Sequence, residues 1–231
     1  MTLIIRVLLV YLILLTTARA ANYIVVNKSD SGAGSLRQAI LNANAAGGGK
    51  VTFSNVSGII LLSTQLPPLS SSMQILGPGP EHLAIQGPTI FTNVFGNYAF
   101  VSGLMVTNSR SAVVNLGTLT LSNCAMVNGF TGGPGVPPLY AAGIYNAGIL
   151  AASNCTLSGN YAYEDREGTA IHNSGTMNLT SCTIASNYLS FGGGCGIYND
   201  ADLTADNCKI AQNQSNDSSG VAFSTPAAQW F

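Results

Sequence analysis

Charged side chains are scarce in this chain of 231 residues. The sequence holds 8 basic and 9 acidic residues, so only 7% of it is charged, whereas about 25% is usual in a soluble domain. Eight scattered cations do not make the basic surface that nucleic-acid binding requires, and we expect no nucleic-acid partner. Stretches rich in Glu, Lys and Leu are also missing, which argues against a long coiled coil.

Small and turn-forming residues are abundant instead. Glycine, serine and asparagine contribute 26, 23 and 21 residues, and hydrophobic residues make up 47% of the chain. Because that hydrophobic content is enough for a core, the chain is not expected to be disordered. The composition predicts many short strands joined by tight turns.

The first twenty residues form a segment of their own. Arg6 precedes an apolar run over residues 7–15, and Ala18 and Ala20 stand at the −3 and −1 positions of a cleavage site. The run is shorter than the roughly 20 residues that span a bilayer. Residues 1–20 are therefore predicted to be a signal peptide. We expect a secreted, extracellular or cell-surface protein with 6 basic and 9 acidic residues and no transmembrane span after signal removal.

A recurring unit dominates the second half of the chain. Each copy holds an aliphatic-X-Asn segment, a short alternating stretch and a cysteine. The cysteines follow one another at steps of 31, 27 and 26 residues, and Leu104 takes the cysteine position in an earlier copy. A unit of this length indicates a solenoid. The four cysteines are Cys124, Cys155, Cys182 and Cys208.

Each unit is interpreted as three short strands. Leu119 and Leu121 alternate with Thr and Ser, which places the leucines on one face of a strand. A second strand begins at each cysteine, and a third is the Gly-Ile-Tyr-Asn segment. Coils of three strands stacked about 4.8 Å apart make a parallel β-helix, because a single coil cannot bury its apolar face alone. Roughly seven coils fit the length.

The beginning of the chain is predicted to cap this stack. Residues 21–50 combine a strand at 23–27 with a short amphipathic helix at 35–46. Ser35 and Gln38 have the spacing of a capping box. The coils are then expected over residues 51–213. Residues 214–231 are expected to be a C-terminal tail or the start of a further segment.

Two of these features resemble a known group of proteins. The stretch from Asp30 to Ile40, Asp-Ser-Gly-Ala-Gly-Ser-Leu-Arg-Gln-Ala-Ile, is similar to the entry motif of secreted bacterial right-handed parallel β-helix repeat proteins of the CSLREA and choice-of-anchor types. The Gly-Ile-Tyr-Asn and Asn-Cys-Thr-Leu-Ser-Gly-Asn coils resemble the repeats that follow it there and, more loosely, polymorphic outer-membrane protein repeats. The resemblance covers residues 27–213. It implies an all-β, right-handed, pectin-lyase-like β-helix, export and often cell-surface attachment, but no particular reaction.

The sequence departs from that pattern in two places. Gly34 rather than Cys precedes Ser35, and no recognisable sorting domain follows residue 213. The manner of attachment is therefore left open.

The repeated cysteines allow three interpretations: metal ligands, disulfides or small buried hydrophobic residues. A ladder along the axis does not converge on a point as a zinc site does, and side chains in register point the same way. Burial as hydrophobic residues is favoured, and Cys195 is expected to point inward too. No metal and no cofactor are expected.

The asparagines are interpreted as corner residues that bond the turn or a stacked neighbour. They form two sets, Asn115, Asn146, Asn173 and Asn199 on one hand, and Asn128, Asn160, Asn187 and Asn213 on the other.

Only one group of residues has a geometry that would suit catalysis. Asp200 and Asp202 would lie about 6.6 Å apart if one strand ran through both, with His172 one coil below. His172 also shares its position with Tyr145 and Tyr198, so a rung of an aromatic ladder is the favoured interpretation. No catalytic residue is assigned, and these three are kept as the alternative.

Three insertions are expected to emerge as loops at one corner, over residues 129–142, 161–168 and 188–194. Insertions on one face of a solenoid often bind partners. Their aromatic and charged residues are the predicted binding residues: Phe130, Tyr140, Tyr161, Tyr163, Glu164, Asp165, Arg166, Tyr188 and Phe191.

The leading functional prediction is a non-catalytic, exported or cell-surface scaffold. Its loops would serve adhesion or the binding of a polysaccharide or a surface protein. The alternative is a polysaccharide lyase or glycoside hydrolase of the pectin-lyase-like class.

Overall fold

Short strands with alternating apolar and polar residues stack in parallel from one coil to the next. The computed structural model describes residues 21–132, 141–163, 168–190 and 194–216, together with the backbone of residues 223–224. The predicted signal peptide lies outside the described residues. Every strand pairing found there is parallel, and the only helix in these segments lies near the beginning. The prediction of an all-β parallel β-helix with a short N-terminal helix is confirmed.

The strands fall into four sheets, which we number in the order in which the chain visits them. Sheet I has eight strands: Asn22–Val25, Gly49–Phe53, Met73–Leu76, Tyr98–Ser102, Thr118–Ser122, Ile149–Ser153, Thr176–Thr180 and Asp202–Asp206. Sheet II has seven: Gly58–Leu61, Leu83–Gln86, Met105–Thr107, Ala125–Val127, Thr156–Ser158, Thr183–Ala185 and Lys209–Ala211. Sheet III has four two-residue strands: Phe130–Thr131, Tyr161–Ala162, Tyr188–Leu189 and Gln214–Ser215. Sheet IV has six: Thr89–Asn93, Ser111–Asn115, Ile144–Asn146, Ile171–Asn173, Ile197–Asn199 and Phe223–Ser224.

Sheet III corrects the prediction of three strands per coil. Residues 129–142, 161–168 and 188–194 were expected as loops, yet each of these segments contributes a short strand near its start. The later coils therefore have four strands. Seven strands of sheet I follow the first one, which agrees with the expected seven coils.

One hydrophobic core runs along the axis of the stack. Its side chains come from inward positions in register, such as Leu119, Leu150 and Met177, which are at most 1% exposed. Full burial of such a side chain stabilises the fold by roughly 1.5–3 kcal/mol. The core extends from Val25 to Ile197, and the last coil packs against it with partly exposed side chains.

The chain turns between sheets I and II at one residue in the left-handed region. Asn123, Asn154, Ser181 and Asn207 have φ between 50° and 54°. Asparagine tolerates this conformation better than most residues because its side chain is short and polar. A polar residue therefore forms the bend between the two sheets at each of these four positions.

Buried asparagines line the corner between sheets IV and I. Each side-chain Nδ2 donates to the Oδ1 of its counterpart in the next coil, at 2.6–2.9 Å. The same side chains donate to backbone carbonyls of the turn that follows. Asn115 and Asn146 also donate to carbonyls of the next coil. Bonding to the turn and to a stacked neighbour, as predicted for this set, is confirmed. The ladder comprises Asn93, Asn115, Asn146, Asn173 and Asn199.

The N-terminal cap follows the predicted plan with small changes. The helix runs over Leu36–Ala45, and the Ser35 side chain accepts a hydrogen bond from the Gln38 backbone N–H. The Gln38 side chain bonds Asn42 instead of returning to Ser35, so only half of the capping box forms. The part of the chain described here contains no helix with the length and apolar character that crossing a bilayer would take.

The stretch that resembles an entry motif fastens this cap to the first coil. Arg37 pairs with Asp30 at 2.6 Å and donates to the carbonyls of Thr64 and Gln65. The Ser63 hydroxyl also donates to the Asp30 carboxylate. These hydrogen bonds from Ser63 and Arg37 hold the pKa of Asp30 below its usual range.

All five cysteines are free thiols. Cys124, Cys155, Cys182 and Cys195 are buried, whereas Cys208 in the last coil is half-buried. The neighbouring thiols of Cys124 and Cys182, together with burial, raise the pKa of Cys155. Burial likewise raises the pKa of Cys195 and of Cys208. The Cys155 thiol in turn lowers the pKa of Cys124 and of Cys182. Because their side chains are at most 4% exposed, the buried cysteines nevertheless pack as small hydrophobic residues.

Thiol labelling of the native protein is expected to be slow, with Cys208 the first cysteine to react. Burial limits the access of the reagent to the four buried thiols, whereas Cys208 is half-buried. When the chain is unfolded without reductant, five thiols per chain should react with an aromatic disulfide reagent, in line with the five free thiols. A smaller number would show that a disulfide had formed.

Candidate binding surface along sheet III

Sheet III forms where strands of sheet II end at a residue in the left-handed region, as the last five of its seven strands do. Asn108, Asn128, Ser186 and Gln212 have φ between 48° and 57°, and Gly159 has φ 66°. Two positions further on, the chain is extended again and pairs with the coil before it. The backbone N–H of Phe130 donates to Ser109, and that of Tyr161 donates to Gly129, each at 2.8 Å.

A second buried asparagine ladder supports the inside of this corner. Asn160 donates to Asn187 at 2.9 Å, and Asn187 donates to Asn213 at 2.8 Å. Gly129 occupies the equivalent position one coil earlier, and its N–H donates to Asn160. The corner position predicted for Asn128 is confirmed, although its side chain is not a member of this ladder. Asn128 is the exposed turn residue one position earlier, where its left-handed φ suits a turn.

Aromatic rings on the outside of sheet III stack along the axis. The ring centroids of Phe130 and Tyr161 lie 5.4 Å apart at an interplanar angle of 5°, and those of Tyr161 and Tyr188 lie 5.5 Å apart at 13°. The register explains the stack, because these residues face one another across paired strands. The Tyr161 hydroxyl bonds Ser190 at 2.6 Å. Three of the predicted binding residues are therefore brought together.

The same register adds a residue at each end of the stack. Arg110 stands two positions after Asn108, as Phe130 stands two positions after Asn128. Gln214 follows Tyr188, and its N–H donates to Asn187 at 2.8 Å. We call the resulting line of outward residues the axial strip: Arg110, Phe130, Tyr161, Tyr188 and Gln214.

Two grooves open beside the axial strip, one near each end. The larger, of about 440 Å³, is lined by Gly87, Pro88, Asn108, Ser109, Arg110, Asn128 and Phe130. The smaller, of about 250 Å³, is lined by Ser186, Asn187, Tyr188, Gln212 and Gln214. Both present backbone and side-chain amides next to an aromatic ring. We name them the arginine groove and the glutamine groove.

Sequence reasoning missed Arg110 and both grooves. The available signal was the turn residue at Asn108, which has the same offset to Arg110 as the later turns have to the aromatic residues. Tyr163 is half-buried, and its N–H donates to Thr131 at 3.1 Å beside the strip. The other predicted binding residues lie outside the described part of the chain: Tyr140, Glu164, Asp165, Arg166 and Phe191.

The alternative catalytic residues are only partly brought together. Nε2 of His172 lies 3.6 Å from the Asp200 carboxylate, but His172 is 5% exposed. The strand Ile197–Asn199 ends before Asp200, and the next strand begins at Asp202. The 6.6 Å spacing of the two aspartates assumed that one strand runs through both. That assumption is wrong, because the chain turns a corner between them.

The register of His172 agrees with its interpretation as a rung of an aromatic ladder. It pairs with Tyr145 and Tyr198 on neighbouring strands, and its ring lies edge-to-face with both, at centroid distances of 5.1 and 5.2 Å. The prediction that His172 is one rung of an aromatic ladder is confirmed. Within the described segments, no group of three or more His, Cys, Asp or Glu side chains is placed to hold a metal ion.

Comparisons with known proteins give little beyond this geometry. No protein family matches the chain, and no curated protein matches it. Among solved structures, the chain is similar to ORF18 of Geobacillus virus E2, with a TM-score of 0.47 and 13% sequence identity. The match covers 82% of this chain and 42% of the viral protein, so the chain spans less than half of that protein's length. The resemblance to bacterial surface repeat proteins remains a prediction.

Proposed function

We propose that this protein is an exported or cell-surface β-helix scaffold that binds a polysaccharide along the axial strip. The observation that supports the proposal is the line of aromatic residues held in register by sheet III, with a groove at each end. Aromatic rings offer apolar surface for contact with sugars, and amides recognise hydroxyl groups. Export rests on the pattern of residues 1–20.

The scaffold suits a long ligand better than a small one. The strip runs along the axis, where each coil adds one residue at the strand spacing of about 4.8 Å. Five coils contribute to it, so its length is roughly 19 Å. Since the strands of Tyr161 and Tyr188 are paired on both sides, the middle of the strip is held rigidly, and little ordering is needed there when a chain of sugars binds.

Binding can be tested with the exported chain on a panel of plant and bacterial polysaccharides by affinity electrophoresis. Tyr161→Ala removes the middle ring of the strip and should weaken retention by the bound polysaccharide about tenfold, the loss typical of a central contact residue. Tyr98→Ala is the matched control, because Tyr98 is 45% exposed on sheet I and lies outside the strip. Retention that is equal in both variants would contradict the proposal.

The enzymatic alternative makes a different prediction in the same samples. A lyase or hydrolase would release new reducing ends from the retained polysaccharide. We expect none, because His172 is buried and one strand does not join Asp200 to Asp202. Release that Asp202→Asn abolishes would favour the enzyme.

A further inference from the structure

We infer that the arginine groove binds a negatively charged sugar residue, with Arg110 as its anion partner and Phe130 as its stacking platform. This inference rests on the proposed polysaccharide binding and specifies its ligand. The charge on the sugar is a carboxylate or a phosphate, since both accept two hydrogen bonds from one guanidinium.

Arg110 has the features of a cation kept for a ligand. It is exposed, and no described carboxylate forms an ion pair with its guanidinium. Arg37, by contrast, spends its hydrogen bonds on Asp30 and on two backbone carbonyls of the cap. Acidic groups outnumber basic ones in the chain, so an anion is drawn to this groove by the local charge and not by the protein as a whole.

Phe130 offers a ring face at the same place. Tyr161 covers one face of the ring at a centroid distance of 5.4 Å and an angle of 5°. The opposite face is turned toward the coil of Arg110, where the groove opens, and Phe130 is 47% exposed. A sugar ring that lies on this face would bring a substituent within reach of the guanidinium.

The walls of the groove supply hydrogen-bonding groups. Asn108 and Asn128 are exposed turn residues, and both line the groove. Each amide can donate and accept, which matches hydroxyl groups on a sugar. The volume of about 440 Å³ lies within the range of small-ligand sites.

The glutamine groove resembles the arginine groove except that it lacks a cation. It is lined by amides, a serine and Tyr188, and has no charged side chain. The two ends of the axial strip therefore differ in charge while sharing an aromatic residue and amides. This difference predicts that charge recognition is confined to the Arg110 end.

The test measures the affinity of the exported chain for matched pairs of polymers by isothermal titration calorimetry. Polygalacturonate is compared with neutral galactan, and phosphomannan with neutral mannan. Arg110→Gln should weaken binding of a charged polymer about tenfold and leave its neutral counterpart unchanged. The charged polymer that shows this loss identifies the anion. Phe130→Ala should weaken charged and neutral members alike.

Lys28→Gln is the matched control, because it removes one exposed positive charge far along the chain from the groove. Equal weakening in Arg110→Gln and Lys28→Gln would overturn the inference in favour of a general charge effect. So would unchanged binding in Arg110→Gln when Tyr161→Ala is still defective, an outcome that leaves the proposed function standing. If all variants bind every polymer with the same affinity, both this inference and the proposed function are overturned. Melting curves of each variant confirm that it is folded.

Discussion

Replacing Asn146 by alanine is expected to lower the free energy of unfolding by about 3–5 kcal/mol, because several buried polar groups lose their partner at once. The Asn146 side chain is fully buried. Its Nδ2 donates to Asn173 at 2.7 Å and to the Thr176 carbonyl at 3.1 Å. Its Oδ1 accepts from Asn115 at 2.7 Å and from the Gly148 N–H at 3.3 Å.

The cost arises on both sides of the substituted coil. Alanine satisfies none of these groups, and the space left between coils is about that of one amide. Each buried group without a partner costs roughly 1–3 kcal/mol, although some regain water or a weaker bond. Asn115 keeps its bonds to the carbonyls of Gly117 and Ile149, which limits the loss on that side.

Thermal unfolding followed by far-ultraviolet circular dichroism measures this effect. For a domain of this size, a loss of 1 kcal/mol lowers the midpoint by about 2–4 °C, so a fall on the order of 10 °C is expected. Asn178→Ala is the control, because Asn178 lies on the exposed face of sheet I in the next coil. A midpoint that shifts equally in the two variants would show that the ladder adds no stability.

The repeat could be predicted from the sequence because two features recur at one position in each coil. The cysteines mark the start of sheet II, and the aliphatic-X-Asn segments mark sheet IV. Both features place a buried side chain in a ladder, so the spacing of the sequence directly reflects the spacing of coils. Glycines and prolines close to the strands Met73–Leu76 and Leu83–Gln86 limit in the same way where these strands can run.

Sheet III could not be predicted in the same way. Two residues are too few to show alternation, and the segments that follow them vary in length from coil to coil. Phe130, Tyr161 and Tyr188 therefore looked like members of loops. Their position on one corner was predicted correctly, but the pairing that stacks their rings appears only when the coils are aligned on their turn residues.

In the candidate site, too, residues on regular strands could be placed from the sequence, whereas distances across a corner of the chain could not. His172 was placed correctly because its register is fixed by Ile171 and Asn173 on its own strand. The distance between Asp200 and Asp202 depended on the path of the chain after the strand ends. There the Asn199 side chain donates to the Ala201 carbonyl at 2.6 Å and stabilises a corner. Arg110 escaped notice because its coil lacks the cysteine that identified the later repeats.

Replacing Leu157 in sheet II by alanine is expected to lower the free energy of unfolding by about 3–5 kcal/mol. Leu157 is fully buried and lies in register between Met126 and Ile184. The loss combines the transfer free energy of the missing atoms with the cavity that remains. That cavity cannot close easily, because backbone hydrogen bonds fix the distance between coils.

Urea unfolding with matched variants measures this loss. Ser158→Ala changes the next residue on the same strand, whose side chain points away from the core, and should stay within 0.5 kcal/mol of the parent protein. A shift of similar size in both variants would contradict the assignment of Leu157 to the core.

The number of unfolding transitions gives a second prediction for Leu157→Ala. Because one hydrophobic cluster extends from Val25 to Ile197 without a break, the weakened coil should lower the midpoint of the whole stack while a single transition is kept. A solenoid whose coils interact only with their nearest neighbours can instead separate at a weak interface. Two transitions in the Leu157→Ala protein, recorded as fluorescence and circular dichroism curves that do not coincide, would show that the coils on either side of it unfold independently.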